Sequence, residues 1–256
     1  MRRPATATIR AHRHDLLISF RYPAQLIPTL VVFGDLLEPE LGLLPDELGP
    51  GAVALDVGAS IGTWTMVAAS TGATVHACEP DPDNLDLLRL NLDRNGSGGK
   101  VVIHHVAVGR HSGRVRLQQN ARRYLNQVRE VHDNEGIPLV SLTEFVEDLD
   151  VREVDVLKVN TAGHEADVLV GGLQLFRAGR IRLAMFLDGI DVRQELRRAM
   201  DNGDLEAYKM AIYDGDRGQL VDMPTVDDLV QPRPSPLNHY ILLHRGVTGD
   251  PRSTIG

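Results

Sequence analysis

The chain has 256 residues, 43% of them hydrophobic, and a formal net charge of −8. This length fits one sizeable α/β domain with additions, and the acidic balance argues against a general nucleic-acid binder, which would carry a basic excess. The single cysteine, Cys78, excludes an internal disulfide and favours a reducing, cytoplasmic location. No signal peptide is recognised, and the early apolar run at residues 26–33 is too short to span a bilayer, so no membrane partner is expected.

The first 48 residues are interpreted as an N-terminal arm followed by a lid segment. Residues 1–14 are basic, small and polar, which is typical of a loose or partly ordered arm. Residues 16–20 predict a short strand, and the proline-containing stretch after it predicts helical pieces that cover a ligand pocket. Aromatic and acidic side chains at residues 33–39 would either contact a ligand there or only pack on the sheet.

Residues 53–62 contain the strongest motif of the chain. A short apolar run, typical of a strand buried on both faces, ends in a loop with glycine at Gly58 and Gly62. Glycine lets the backbone turn sharply and approach a bound molecule closely. A helix is predicted from Thr63, so its N-terminus would point at the loop and favour negative charge there. Asp56, at the strand end, would contact a ligand or tie the loop to itself.

A second strand at residues 75–78 ends in Glu79, about 20 residues after the loop, where nucleotide-binding folds place a ribose-binding acid. A carboxylate can accept hydrogen bonds from both hydroxyls of a ribose. A dehydrogenase is disfavoured, since the loop lacks the glycine spacing that cradles a pyrophosphate. Asp81 and Pro82 are typical of a helix start, and Asn95-Gly96 of its end.

The middle of the chain is predicted to contain a third strand over residues 101–108. Residues 109–118 are expected to pair back on it as a hairpin through Ser112-Gly113, and residues 120–136 to form a long loop. The stretch is locally basic and would bind an anionic group of an acceptor or carrier, or form a solvated face. Its arginines are Arg110, Arg114, Arg116, Arg122, Arg123 and Arg129.

Ser141 and Glu144 form a capping pattern that predicts a further helix start. The apolar residues 154–159 predict a buried central strand, whose end should lie beside the glycine loop. Helices are then predicted over residues 165–176 and 191–200 and strands over 181–187, 208–213 and 239–245, the last two forming an antiparallel pair. A proline-rich loop at residues 224–236 is expected near the acceptor.

Together these segments resemble the FkbM-type family of S-adenosylmethionine-dependent methyltransferases. Residues 55–63 look like motif I of the superfamily, and the family pattern continues in Cys78-Glu79-Pro80, in Ala107-Val108-Gly109 and in residues 157–165. The resemblance implies an α/β, Rossmann-like class I methyltransferase with a mostly parallel seven-stranded sheet, an antiparallel last strand and an N-terminal lid segment. The methyltransferase domain would span residues 49–247 and a tail residues 248–256.

The resemblance also implies the site residues, with S-adenosyl-L-methionine as cofactor. The expected cofactor-binding residues are Asp56, Gly58, Ala59, Ser60, Gly62, Glu79 and Ala107. The expected catalytic residues are His164, Asn160 and Lys158. Catalysis would consist of aligning an acceptor oxygen with the methyl carbon, aided by a base that removes the hydroxyl proton, for which His164 is preferred.

The expected reaction is O-methylation of a hydroxyl on a small molecule, a sugar or polyketide-like compound. Another acceptor class, or a methyltransferase-like binding protein without activity, remains an alternative. Members of the family typically carry Asp and Glu where this chain has Asn160 and Ala162. An amide and a methyl group cannot form a hard-cation site, so we expect metal-independent activity with a changed acceptor or reduced rate, unless those acids only brace the loop.

Overall fold

The computed structural model describes residues 4–11, 14–21, 38–97, 100–118, 127–131, 135–215, 217–223, 225 and 239–246. The strands in these ranges are β1 Ala5–Ala11, β2 His14–Phe20, β3 Val53–Val57, β4 Thr74–Cys78, β5 Val101–His104, β6 Ala107–Gly109, β7 Gly113–Gln118, β8 Gln127–Val131, β9 Ile137–Ser141, β10 Val154–Val159, β11 Ile181–Leu187, β12 Tyr208–Asp214, β13 Gln219–Met223 and β14 His239–His244. The helices are α1 Leu44–Glu47, α2 Thr63–Ser70, α3 Pro82–Arg94, α4 Leu142–Asp148, α5 Glu165–Gly171, α6 Leu173–Arg177 and α7 Ile190–Asp201, and a 3-10 helix spans Pro39–Leu43.

The central sheet is mixed and has eight strands within the described ranges, in the order β13-β12-β14-β11-β10-β3-β4-β5. Neighbours from β11 to β5 pair parallel, whereas β14 is antiparallel to both β11 and β12. The antiparallel placement of the last strand matches the expectation, but the predicted number of seven was wrong. The additional strand, β13, pairs antiparallel with β12 at the sheet edge and was not predicted.

The N-terminal arm is more ordered than the sequence predicted, because β1 pairs antiparallel with β2 along its whole length. Ile9 of β1 and Ile18 of β2 are buried in the core under this hairpin. Asn91 of α3 and Asn95, which follows the helix as its C-cap, hold β2 in place. Asn91 accepts from the Ser19 amide at 2.6 Å and Asn95 from the Leu17 amide at 2.9 Å. Residues 22–37 of the predicted lid segment lie outside the described residues, and the part that is described contains the 3-10 helix Pro39–Leu43.

A second, four-stranded sheet replaces the predicted hairpin and long loop. Its order is β6-β9-β7-β8, so β6 and β7 do not pair with each other but lie on opposite sides of β9. The predicted third strand is interrupted between β5 and β6, which belong to different sheets. β8 lies within the predicted loop and pairs antiparallel with β7. The predicted proline-rich loop at residues 224–236 lies outside the described residues, apart from residue 225.

Helix boundaries follow the capping residues. Asp81 accepts a hydrogen bond from the Asp83 amide at the start of α3, and Ser141 and Glu144 form a reciprocal capping box at the start of α4, as predicted. The single helix predicted over residues 165–176 was wrong, because it breaks at Gly172 into α5 and α6. A Cβ on Gly172 would lie 2.6 Å from a Leu142 methyl carbon, so a larger residue there would require that buried side chain to shift.

The two faces of the central sheet carry separate hydrophobic clusters, one with α4 to α7 and the other with α2, α3 and the N-terminal hairpin. Because β3, β4 and β10 run parallel, their carboxyl ends meet at one edge of the sheet. Ligands of open α/β sheets bind at such an edge. No helix in the described ranges is long and apolar enough to cross a membrane.

Candidate active site

The loop after β3 is shaped by contacts with the rest of the chain. Gly58 and Gly62 have φ values of 81° and 94°, and Ser60 lies in the same left-handed region at 51°. A Cβ on Gly58 would lie 1.9 Å from the carbonyl oxygen of Asn160, and one on Gly62 would lie 2.3 Å from a methyl carbon of Leu88. The two glycines are therefore required for close packing against the chain itself.

Glu79 holds this loop from the end of β4. Its Oε2 accepts the amide of Ser60 at 2.8 Å, and its Oε1 accepts the amide of Asp81 at 2.9 Å and the side-chain amide of Asn84 at 3.3 Å. Burial raises the pKa of Glu79 to about 7, although these hydrogen bonds oppose the shift. A carboxylate has about four lone-pair sites, so about one remains for a ligand hydroxyl.

Asp56 and Lys158 form a buried ion pair across neighbouring strands. Lys158 Nζ lies 2.8 Å from Asp56 Oδ1 and also donates to the carbonyl oxygen of Gly58 at 2.9 Å. Asp56 additionally accepts from Thr65 Oγ1 at 2.6 Å. Burial alone would lower the pKa of Lys158, but the negative charges of Asp56 and Glu38 raise it overall. Asp56 is thus linked to β10 and, through the Lys158 ammonium, to the loop.

Three further charged residues lie near this ion pair. Glu38 belongs to the stretch whose acidic side chains were expected to contact a ligand or pack on the sheet, whereas Glu40 and His239 were not identified from the sequence. Burial raises the pKa of Glu38, opposed by the positive charge of Lys158. Glu40 Oε1 lies 3.3 Å from His239 Nδ1 and accepts the His239 amide at 3.2 Å. Burial would lower the pKa of His239, but Glu40 raises it. The sequence did not indicate the contact between Glu40 and His239, because these residues are 199 positions apart in the chain.

The loop after β10 is organised by Glu165, which was assigned no separate role from the sequence. Its carboxylate accepts the amides of Thr161 at 2.7 Å and Gly163 at 3.0 Å. Ala162 has a φ of 57° and Gly163 of 108°, so two successive residues are left-handed. Thr161 Oγ1 is buried and has no hydrogen-bond partner among the described residues. Glu165 therefore braces a strained turn that leaves one buried hydroxyl available to a ligand.

His164 lies at the start of α5 and is 29% exposed. Its Nδ1 lies 3.5 Å from Asp167 Oδ2, and Asp167 Oδ1 accepts from Arg110 Nε at 3.1 Å. A carboxylate on one ring nitrogen orients the imidazole and leaves the other nitrogen available for a proton. The arrangement is chemically able to accept a proton from a hydroxyl placed over the loop.

Direct contacts join several of the predicted residues. Asp56, Gly58 and Lys158 meet at the ends of β3 and β10, with Asn160 in backbone contact with Gly58. The loop residues Ala59 and Ser60 and Glu79 adjoin them, since Ala59 donates to the Cys78 carbonyl at 3.0 Å. Ala107 follows the end of β5 by three residues and packs in the small apolar cluster of the second sheet, with Val115 and Leu139.

The residues at the sheet edge fit an S-adenosylmethionine donor on two structural observations. Glu79 retains acceptor capacity at the end of the second strand, and Thr161 Oγ1 is a buried polar atom without a partner. Within the described residues, no cluster of three or more His, Cys, Asp or Glu side chains could hold a metal ion.

Comparisons with known proteins identify relatives of this chain. The model of a family described as Methyltransferase FkbM domain matches residues 56–209. Over 151 residues, 58% of this chain, the sequence is 32% identical to the hexuronic acid methyltransferase AglP of Haloferax volcanii, and the match spans 62% of that protein. An rRNA methylase from Streptococcus thermophilus has a similar structure, with a TM-score of 0.50 and 12% identity over 80% of this chain and 93% of its own.

Proposed function

The chain belongs to the FkbM methyltransferase family, and we propose that it is an S-adenosylmethionine-dependent O-methyltransferase acting on a hydroxyl of a small molecule. The observation that carries this proposal is the junction of the loop after β3 with Glu79, at the carboxyl edge of parallel strands. A sugar acceptor is favoured over a polyketide-like one, because the relative AglP is named as a hexuronic acid methyltransferase.

Donor binding is assigned to residues at the ends of β3, β4 and β10. The bound donor supplies an electrophilic methyl group. Glu79 accepts a hydrogen bond from a ribose hydroxyl through a carboxylate lone pair that the loop amides do not occupy. The Thr161 hydroxyl, buried and without a partner, is satisfied by a polar group of the donor. The amino end of α2 adds favourable electrostatics for a carboxylate.

Acceptor activation is assigned to the loop after β10. His164 takes the proton of the acceptor hydroxyl, with Asp167 orienting its imidazole. Asn160 is half-buried at the start of the loop and offers an amide that can hydrogen-bond the acceptor. Lys158 is given a bracing role in place of the expected catalytic one, because its ammonium already donates to Asp56 and Gly58.

A second candidate function is a methyltransferase-like binding protein with weak or no activity. It is favoured by one sequence feature, the replacement of two acids typical of the family by Asn160 and Ala162. This candidate retains donor binding but lacks turnover, so the two functions differ in a measurable way.

Two measurements test the proposal. Calorimetry with S-adenosylmethionine and S-adenosylhomocysteine should show binding of both and a raised melting temperature, because a ligand that binds the folded state stabilises it. Intact-mass analysis of glucuronic acid, glucose and their reaction products should then show a transferred methyl group. Binding without transfer to any acceptor would support the second candidate, and absence of binding would refute both.

A further inference from the structure

The outer face of the β7–β8 ribbon is basic although the protein as a whole is acidic. Side chains alternate between the two faces of a strand, and Val115 points inward into the small apolar cluster. Its neighbours Arg114 and Arg116 point outward and are exposed. Arg129 of β8 is also exposed and lies directly opposite Arg116 in the strand register. Arg122 and Arg123, also predicted to belong to the basic stretch, lie outside the described residues.

The pairing of Arg116 with Arg129 is electrostatically unfavourable. Like charges directly opposite each other on a sheet destabilise it. Arg116 lies 3.4 Å from Glu135, but the Glu135 side chain is 88% exposed, and such pairs contribute little to stability. No carboxylate in the described part of the chain forms an ion pair with Arg129. Two opposed guanidinium groups on an exposed face are therefore stabilised when an anion binds to both.

This face adjoins the candidate active site directly. Gln127, at the start of β8, donates from Nε2 to the carbonyl oxygen of Ala162 at 3.2 Å. Gly163 is equally close, since a Cβ built on it would lie 3.4 Å from the same nitrogen. Arg129 follows two residues later on the same face, about 7 Å along the strand. An anionic group held by Arg129 would therefore lie on the strand whose first residue contacts the turn that precedes His164.

We propose that Arg116 and Arg129 form the subsite that binds the carboxylate of an acidic sugar acceptor and so determine acceptor specificity. The proposal rests on the proposed function and adds the charge of the acceptor and the residues that recognise it. Arginine presents a planar fork that matches a carboxylate bidentately. A carboxylate bound by the two forks positions the sugar ring towards the loop that contains Asn160 and His164. Gln127 contacts the Ala162 carbonyl oxygen of that loop and so joins the subsite to it.

Binding of glucuronate and of its uncharged amide, glucuronamide, tests the proposal without requiring catalysis. The two probes differ only at the carboxylate, which the amide replaces with an uncharged group of similar shape, so their affinity ratio reports on recognition of the carboxylate. The expected ratio for the unmodified protein is about tenfold in favour of glucuronate at low salt, falling as salt is added. Arg116→Gln and Arg129→Gln should each reduce this ratio by about three- to tenfold, while Arg129→Lys, which retains charge but not the fork, should reduce it less.

Arg152→Gln is the matched control, because Arg152 is exposed and precedes β10 at the opposite edge of the sheet. It should leave the ratio unchanged, and none of the four variants should melt below the unmodified protein, since each glutamine variant at Arg116 or Arg129 removes a like-charge pair. Equal affinity for the two probes, or an unchanged ratio in both glutamine variants, would overturn the proposal. Arginine-dependent binding of glucose 6-phosphate in place of glucuronate would also overturn it, since the subsite would then recognise a phosphate.

The subsite and the proposed function can be refuted independently of each other. If the protein does not bind S-adenosylmethionine but prefers glucuronate through Arg116 and Arg129, the subsite stands and the methyltransferase assignment falls. If it methylates neutral sugars as well as glucuronic acid, with no effect of the glutamine variants on the KM for glucuronic acid, the subsite falls and the assignment stands.

Discussion

The ammonium of Lys158 lies 2.8 Å from a carboxylate oxygen of Asp56, and the two side chains are 6% and 0% exposed. They occupy directly paired positions on β10 and β3. The same ammonium also donates to the carbonyl oxygen of Gly58, so this lysine joins the central strand to the loop proposed to bind the donor. A charge enclosed in this way is most costly when its partner is removed.

We expect Lys158→Met to destabilise the protein by about 3–5 kcal/mol, because it leaves the Asp56 carboxylate buried and unpaired. The double variant Asp56→Asn/Lys158→Met should recover part of this loss, since no unpaired charge remains. Urea unfolding of Lys158→Met, Asp56→Asn and the double variant completes the cycle. A stable Lys158→Met protein with normal donor binding and lost turnover would instead support a catalytic role for Lys158.

Glu79→Ala should weaken S-adenosylmethionine binding by about 1–3 kcal/mol, the penalty for leaving buried hydrogen-bonding groups unpaired. Because the pKa of Glu79 is raised to about 7, the acceptor form of the carboxylate increases with pH. Donor affinity should therefore rise by up to about tenfold between about pH 6 and about pH 8, and Glu79→Gln should abolish that rise. Calorimetry at several pH values measures both effects, with the exposed Glu206→Gln as control.

His164→Gln should lower the rate at saturating substrate by about a hundredfold or more, in the range of general-base contributions. Asp167→Asn should cause a smaller loss, because Asp167 orients the imidazole at 3.5 Å and takes no proton itself. Both variants should bind donor and acceptor normally, which calorimetry checks. A rate for His164→Gln within about threefold of the unmodified enzyme would exclude this histidine as the base.

Activity should be unaffected by chelating agents, because Asn160 and Ala162 stand where the family typically has acids that could bind a divalent cation. Restoring them in Asn160→Asp/Ala162→Glu should change acceptor choice, rate or metal response. Any side chain at position 162 must adopt its left-handed backbone, with a φ of 57°, so Asn160→Asp alone serves as the unstrained comparison. Loss of activity on chelation in the unmodified protein would contradict metal independence.

His76 and His104 should make the protein less stable in acid. Their ring nitrogens lie 3.0 Å apart, and burial lowers the pKa of both below the ordinary value of 6.5. Their neutral forms therefore contribute stability that is complete above about pH 6.5 and is lost as the pH falls through the lowered values.

The melting temperature should accordingly fall less between about pH 7 and about pH 5 in His104→Gln than in the unmodified protein. His111→Gln is the control, since His111 is an exposed histidine near Glu130. An identical pH dependence in His104→Gln and the unmodified protein would show that the pair does not contribute to acid sensitivity.

Local sequence signals located most of the elements around the site. β10 and β11 have the predicted bounds, because their continuous apolar runs are flanked by turn-forming residues. The starts of α3 and α4 follow from Asp81 and Ser141, whose side chains satisfy amides that a helix leaves free at its beginning. Glu79 was identified because nucleotide-binding folds place an acid at the end of the second strand, about 20 residues after the glycine loop.

Elements of the second sheet were missed where pairing between distant segments outweighs local pattern. β8 carries exposed polar residues at most positions and has little periodicity, yet its backbone groups are satisfied by β7. β6 pairs with β9, about 30 residues away, although Ser112-Gly113 suggested a local hairpin. Strand propensity depends on neighbours as much as on the residues themselves, so such strands are weakly encoded locally.

The sequence by itself determined the family, the loop with Gly58 and Gly62 and the acid at Glu79, because these depend on residue types at short, fixed spacings. The tertiary structure decided which groups those residues meet. It placed Lys158 on Asp56, Glu40 beside His239 and Gln127 on Ala162, each pair coming from segments 35 to 199 positions apart. Contacts of that range arise only when strands pair and helices pack, because chain connectivity alone does not bring such residues together.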